Sequence, residues 1–283
     1  MNDLTTIAAE PWADWGLMDC GNGQKLERYG RFTVVRPEPQ AMWAPARADW
    51  DPDATFVPGS DEEGGGRWVQ HRPMPKQWEL SRDAVRFNAS LTPFRHLGFF
   101  PDMAPQWDWM REHSAGADVM NLFGYTGVGS LLLSDAGAKL VHVDASKKSV
   151  EGGRENARLS GFEDRPIRWI VDDATAFTRR EARRDRRFDL LVLDPPSWGH
   201  GATGERWDLR RSLPDLLDAV AAVATGDAAV LLTTHTTGLE AVDLEAALVD
   251  AFGSGSISAE PVAIRARSGA VLSLGAAARM IRG

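Results

Sequence analysis

Residues 121–130 read Asn121-Leu-Phe-Gly-Tyr-Thr-Gly-Val-Gly-Ser130 and follow directly on an apolar run. Gly124, Gly127 and Gly129 suit a backbone that passes close beneath a ligand and turns at once into a helix. The next apolar run, Val141-His-Val-Asp-Ala145, ends in an acid about twenty residues after the loop. A carboxylate there, Asp144, suits bidentate capture of ribose hydroxyls. A third run closes on Asp172-Asp173-Ala174, where an acid can accept from an adenine amino group, and a fourth on Asp194-Pro-Pro-Ser197. Taken singly, such a loop is more often a tight turn, and acids at strand ends are common solvated caps. Their conjunction at regular spacing points to a nucleoside-bearing cofactor.

The loop also narrows the choice of cofactor. A dinucleotide site wants G-x-G-x-x-G, with the pyrophosphate on the helix N-terminus. Here the order is Gly124-x-x-Gly127-x-Gly129, without the early G-x-G, and G-x-x-x-x-G-K-[ST] is absent as well. A short loop with no phosphate cradle suits a ribose that carries a small zwitterion, as in S-adenosylmethionine. A nicotinamide-dependent oxidoreductase on a similar sheet is the rival of another class.

The elements that must position these residues alternate. Strand-like runs at 118–123, 140–144, 167–173, 188–194 and 228–233 are separated by helical stretches at 129–135, 147–159, 174–184, 209–224 and 239–252. That alternation predicts a doubly wound α/β domain over 91–283, with a mostly parallel sheet. Ser256–Ile264 and Ala270–Leu274, joined by a turn at Arg267-Ser-Gly269, predict a closing antiparallel hairpin. Residues 1–90 differ in texture. Eight of the 11 tryptophans lie before residue 110, among many prolines and glycines. Arg31–Val35 and Arg67–His71 read as strands and Cys20-Gly-Asn-Gly-Gln24 as a hairpin turn, which predicts a small antiparallel β region. Its tryptophans read mainly as core filler, with a base-stacking surface as the alternative.

Composition excludes other classes. No apolar run is long enough for a membrane span, and the start lacks the features of a signal peptide. One cysteine, Cys20, excludes an internal disulfide and a cysteine-built zinc site. The six histidines show no metal-binding pairing, so no metal is expected, and the expected compartment is the cytoplasm. The net charge of −8 repels polyanions, so a nucleic-acid partner would need a local basic patch. The candidate is Arg179–Arg187, formally +4, although arginines at a helix C-terminus also serve the helix dipole.

Together, Asn121–Gly127, His142–Lys148, Asp172–Ala174 and Leu193-Asp-Pro-Pro196 resemble the motifs of class I S-adenosylmethionine-dependent methyltransferases. They most resemble the RlmI/RlmK-like group of large-subunit ribosomal RNA methyltransferases. The resemblance covers residues 75–283, taking in Pro93–Asp102 and the closing Leu274–Arg279. It implies a seven-stranded sheet, S-adenosylmethionine as cofactor and a base of ribosomal RNA as acceptor. It also implies cofactor contacts from Phe100, Pro101, Asn121, Phe123, Gly124, Tyr125, Thr126, Gly127, Gly129, Asp144, Ala145, Ser146, Asp172, Asp173 and Ala174.

Asp194-Pro195-Pro196 resembles the D-P-P-Y of amino-methylating enzymes, with Ser197 and Trp198 where one aromatic would stand. A carboxylate and a fixed backbone carbonyl can accept the two N–H bonds of an aromatic amine and hold its nitrogen in line. Members that methylate cytosine C5 are expected to carry a cysteine at the end of the fifth strand, and Thr233-Thr-His-Thr236 stands there. Nitrogen is therefore the expected acceptor atom. Trp198, His200, Arg206 and His235 are the candidate substrate contacts, with 198–207 as a glycine-rich lid. A small molecule or a protein side chain is the alternative acceptor, favoured by the net acidity and by the lack of a recognisable PUA-type domain in 1–90.

Overall fold

The computed structural model describes residues 7–59, 65–200 and 206–283. The chain divides into two units. One holds Ile7, 105–262 and 274–283, and the other holds 8–104 and 263–273.

Strand β1 (Ile7–Ala9) comes first, and in the β-rich unit the strands are β2 (Trp15–Gly21), β3 (Gln24–Tyr29), β4 (Phe32–Pro37), β5 (Ala54–Pro58), β6 (Gly66–Gln70), β7 (Trp78–Arg82) and β8 (Val85–Ala89). Strands β2 to β6 form one sheet in chain order, and β7 and β8 form a hairpin. Asn22 and Gly23, with φ of 52° and 74°, make the tight turn expected between β2 and β3. The sheet is antiparallel except where β4 and β5 run parallel.

The tryptophans here have hydrogen-bond partners. Trp12 donates to Ser81 O at 3.0 Å, Trp68 to Thr92 O at 2.7 Å and Trp78 to Tyr29 O at 3.2 Å. Trp15 is fully buried and reaches Glu27, whose carboxylate also takes Arg36 at 2.6 Å and Tyr29 at 3.0 Å. A buried charge is tolerable when it is paired and hydrogen-bonded in this way. The boundary expected at 90/91 falls inside this unit, where Ser90 N donates to Leu97 O at 3.1 Å.

The α/β unit begins with α1 (Ala104–Glu112) and continues β9 (Asp118–Leu122), α2 (Val128–Asp135), β10 (Lys139–Asp144), α3 (Lys147–Leu159), β11 (Ile167–Val171), α4 (Ala174–Arg183) and β12 (Phe188–Leu193). Then follow β13 (Trp198–His200), β14 (Arg206–Asp208), α5 (Leu209–Ala221), β15 (Ala224–Thr234), α6 (Ala241–Phe252), β16 (Gly255–Arg265) and β17 (Val271–Arg282). The sheet order is β1-β16-β17-β15-β12-β9-β10-β11. The seven expected strands are all present, and the short β1 makes an eighth at the edge. Strands β9 to β12 and β15 pair in parallel, while β17 runs antiparallel to β15.

Apolar side chains of the strands and of α4, α5 and α6 form the core, including Leu122, Val143, Leu191, Leu193, Leu216 and Leu248. The helices start where a cap is available. Ser146 accepts Ser149 N at 3.2 Å, Asp173 accepts Ala176 N at 2.8 Å, and Glu240 and Asp243 form a capping box. The helix expected over 209–224 stops at Ala221, because Ala224 pairs with Phe188 and belongs to β15. The winding reverses beside β9: the chain moves outward through β10 and β11, then crosses to β12 and β15 on the other side. Such a switch point opens a crevice at the C-terminal ends of the two central strands. Residues 123–127 and Asp194-Pro-Pro196 are the segments that leave those ends.

Candidate active site

Strand β9 ends in a loop that carries backbone strain. Phe123, Tyr125 and Gly127 have φ of 57°, 49° and 77°. For the two aromatic residues this left-handed region costs about 1–2 kcal/mol each. Loop contacts offset the strain. Gly124 N donates to Val143 O at 3.1 Å, Tyr125 N to Asp144 Oδ2 at 2.9 Å, and Asn156 Nδ2 to Thr126 O at 2.9 Å.

The loop glycines face protein at two key positions. A Cβ on Gly124 would stand 2.5 Å from the His142 ring, and one on Gly127 would stand 3.0 Å from Trp169. Glycine is therefore required there by the side chains that support the loop, which the motif alone did not indicate. Gly129, whose Cβ would stand 3.2 Å from Trp107, lies in the first turn of α2 in the same tight packing.

Beneath the loop lies a buried polar chain. Asn121 Nδ2 donates to Ser130 Oγ at 2.8 Å, and Ser130 Oγ is 2.9 Å from His142 Nδ1. Asn121 thus ties the end of β9 to α2. Burial pushes His142 down to about 3, against a raising contribution from the Tyr125 backbone, and the ring stays neutral. In the β-rich unit, burial and then Arg36 and Arg95 lower His96 to about 4. Both values lie below the ordinary 6.5, so between pH 6.5 and about 4 the unfolded chain binds protons that the folded chain refuses. Stability is full above that window and falls on acidification, by about 1.4 kcal/mol per pH unit for each histidine. Thermal unfolding between pH 7 and 5 should show this, and His142→Gln should flatten the dependence by about one proton. An unchanged slope in that variant would contradict the assignment.

Asp144 closes β10. Its Oδ1 accepts Ser146 N at 2.8 Å and its Oδ2 accepts Tyr125 N. Each oxygen keeps a further acceptor position. Burial raises the Asp144 pKa, opposed by the two amides, and burial followed by the Asp144 charge pushes Tyr125 up to about 12. At the end of β11, Asp172 accepts Asp173 N at 2.9 Å and pairs with Arg180. The Asp173 carboxylate is the cap of α4, and Ala174 is buried at its first turn. Ala145 is half-buried and Ser146 caps α3. Phe100 and Pro101 lie in the β-rich unit, where Pro101–Met103 forms a short 3-10 turn.

Asp194-Pro-Pro leaves β12. Thr233 Oγ1, at the end of β15, donates to Asp194 Oδ1 at 2.5 Å. Pro195 is buried, while the Pro196 carbonyl accepts Trp207 Nε1 at 2.7 Å. The Trp207 ring lies 5.2 Å from that of Phe123, so one side chain joins the Asp-Pro-Pro turn to the glycine loop. None of these bonds uses the Pro195 carbonyl.

The segment expected as a loose lid starts and ends as a two-stranded ribbon. Trp198 pairs with Asp208, Gly199 with Trp207 and His200 with Arg206, while 201–205 lie outside the described residues. Trp198 is 52% exposed and Arg206 is exposed. His235, exposed just beyond β15, has Nδ1 3.2 Å from Leu274 O. Sequence reasoning missed Trp207, His142, Trp169 and Thr233 as supports. The available signals were the spacing of His142 two residues before Asp144, which places both on one strand face, and a tryptophan at each end of a glycine-rich loop. Among the described residues no three of His, Cys, Asp and Glu converge on a metal position, and no helix is long and apolar enough to cross a membrane.

Three comparisons with known proteins bear on this geometry. A family model described as S-adenosylmethionine-dependent methyltransferase matches residues 56–239. A crystallised SAM-dependent methyltransferase from Agrobacterium tumefaciens is 35% identical, with a TM-score of 0.93 over 99% of this chain and 94% of that one. The ribosomal RNA large subunit methyltransferase K/L of Pseudomonas putida is 31% identical over 180 residues, which are 62% of this chain and 24% of the relative. The ribosomal RNA large subunit methyltransferase I of Alteromonas mediterranea is 26% identical over 62% of this chain and 44% of its own length. The chain thus spans less than half of these two curated relatives. The fold is that of the class I methyltransferases, the cofactor is S-adenosylmethionine, and the nicotinamide alternative is set aside. This chain belongs to the S-adenosylmethionine-dependent methyltransferase family.

Proposed function

We propose that the protein methylates a nucleobase of ribosomal RNA, at nitrogen, in the cytoplasm. The observation that carries the reading is the Asp194-Pro195-Pro196 turn, with its carboxylate fixed by Thr233 and its second proline carbonyl fixed by Trp207. The names of the curated relatives support ribosomal RNA as the acceptor.

The residues present fit the cofactor. Asp144 offers an oriented carboxylate beside the strained loop, with acceptor positions for two ribose hydroxyls, and Asp172 offers an acceptor for an adenine amino group. The 121–130 loop lies against the same strand end, and Ala145 and Ser146 continue that wall. When bound, S-adenosylmethionine supplies an electrophilic methyl group on a sulfonium.

The chain's own part is to present the acceptor nitrogen. An aromatic amine is a weak nucleophile because its lone pair is delocalised into the ring. Asp194 accepts one N–H and the Pro195 carbonyl the other, which holds the nitrogen in line and favours the lone pair on nitrogen. Asp194 takes up the released proton. Thr233 orients the carboxylate, and Trp207 keeps the turn from relaxing toward solvent. The exposed face of Trp198 stacks the base taken out of its helix, and Arg206 and His235 contact the neighbouring nucleotide. Cytosine C5 chemistry needs a thiolate, yet Cys20 is buried in β2 and its thiol is pushed up, first by burial and then by Asp19.

Mass-spectrometric mapping of RNA from cells with and without the gene tests the reading. The expected result is one N-methylated base in large-subunit ribosomal RNA that disappears with the gene. No change in any RNA would favour the alternative, a small-molecule or protein acceptor, for which the net charge of −8 speaks.

A further inference from the structure

At the end of the sheet opposite the crevice, where β9, β10, β11 and β12 begin, there is an open cavity of about 280 Å³. Lys139, Arg165, Arg168 and Arg186 line it, with Asp118 as the one carboxylate in the wall and Phe188 among its apolar residues. Four cations around one concavity are unexpected in a chain whose net charge is −8.

The arginine run that the sequence singled out divides here. Arg179 pairs with Asp215, Arg180 with Asp172, and Arg184 with Glu181 at 2.7 Å, so these three are neutralised on the protein itself. Arg186 is directed to the cavity instead. Two of the four lining cations have acidic neighbours: Arg168 lies 3.3 Å from Glu181, and Arg165 lies 3.9 Å from Asp135. Among the described residues no carboxylate comes within ion-pair distance of Lys139 or Arg186, and both are exposed. Clustered like charges around a concavity raise the local potential, and a bound anion relieves it. A guanidinium fork beside an ammonium is the chemistry that grips phosphate oxygens.

We infer that this cavity holds a phosphodiester of the RNA substrate, as an anchor remote from the methyl-transfer site. The inference rests on the reading of RNA as substrate. Its geometry favours a structured RNA over a free nucleotide. The strands between the cavity and the crevice have five or six residues, and at about 3.3 Å per residue the two sites stand roughly 15–20 Å apart. That line runs through the sheet itself, so a ligand that meets both sites must pass around the outside of the α/β unit, which a folded RNA can do and a single nucleotide cannot.

The test compares the wild-type protein with the double variant Lys139→Ser, Arg186→Ser, neither residue belonging to the methyl-transfer site. Filter binding to purified large-subunit ribosomal RNA is measured between 50 and 200 mM KCl. The expected result is about tenfold weaker binding at low salt and a log–log salt slope reduced by about 0.7–0.9, from the one lost phosphate contact. Calorimetric affinity for S-adenosylmethionine should be unchanged, which shows that the variant is folded. Equal RNA affinity and slope in both proteins overturns the anchor and leaves the RNA reading standing. A wild-type protein that binds no RNA contradicts that reading and removes the anchor with it. Calorimetric binding of inorganic phosphate that the variant loses while RNA binding persists overturns the anchor in favour of a free-phosphate site.

Discussion

Asp194→Ala is expected to lower turnover by at least about a hundredfold while leaving the affinity for S-adenosylmethionine within a few-fold. A positioned base contributes typically 10²–10⁴ in rate, and here the same carboxylate also aligns the acceptor. Thr233 donates to Asp194 at 2.5 Å, so the group stands in a fixed orientation before any substrate arrives. Asp194→Asn separates the two contributions. The amide keeps an acceptor oxygen for alignment and cannot take a proton at neutral pH, so an intermediate loss is expected. Thr233→Val, which removes the orienting hydroxyl, should lower turnover less than either. Single-turnover methylation of the RNA substrate gives these rates directly. Full activity in Asp194→Ala would remove the carboxylate from the mechanism.

The second large effect is on cofactor affinity. Asp144→Ala is expected to weaken S-adenosylmethionine binding by about a hundredfold. Hydrogen bonds to a charged acceptor contribute about 1.5–3 kcal/mol each, and every 1.4 kcal/mol is a factor of ten. Removing two ribose contacts would therefore account for the loss. Part of the effect arises inside the protein, because Asp144 also accepts the amides of Tyr125 and Ser146. The strained loop then loses a contact that offsets its positive φ angles. Circular dichroism and the melting temperature distinguish loss of fold from loss of site.

The pH dependence of binding follows from the same group. Its pKa is raised, chiefly by burial, so affinity should be full at neutral pH and should fall on acidification sooner than for an exposed aspartate. A dissociation constant in Asp144→Ala within threefold of the wild type would contradict the role. The two variants are complementary, since one should change rate at constant affinity and the other affinity itself.

Much of this arrangement is legible in the residues. The α/β order, the helix caps and the acids closing successive strands follow from periodicity and from local hydrogen-bonding capacity, both of which act over a few residues. The limits of helix α3, Lys147–Leu159, coincide with expectation because Ser146 caps its start locally. The supports of the site are less visible because they act across the sequence. Trp207 reaches the Pro196 carbonyl eleven residues away through a ribbon that glycine content disguised as a loose loop. Thr233 reaches Asp194 only because β12 and β15 are neighbours.

Gly124 and Gly127 show another limit. Their type suggests room for a ligand, whereas His142 and Trp169 fill the space where their Cβ atoms would stand. The same holds for Asp172 and Asp173. As adjacent acids they look equivalent, but one pairs with Arg180 and the other caps a helix.

The central claim is that the Asn121–Ser130 loop and Asp144 hold the adenosine portion of the cofactor. A crystal structure with S-adenosylhomocysteine tests it most directly. The account predicts both ribose hydroxyls within hydrogen-bond distance of the Asp144 carboxylate, with the adenine beside Asp172. Adenosine density elsewhere, with that carboxylate contacting only the amides of Tyr125 and Ser146, would contradict it.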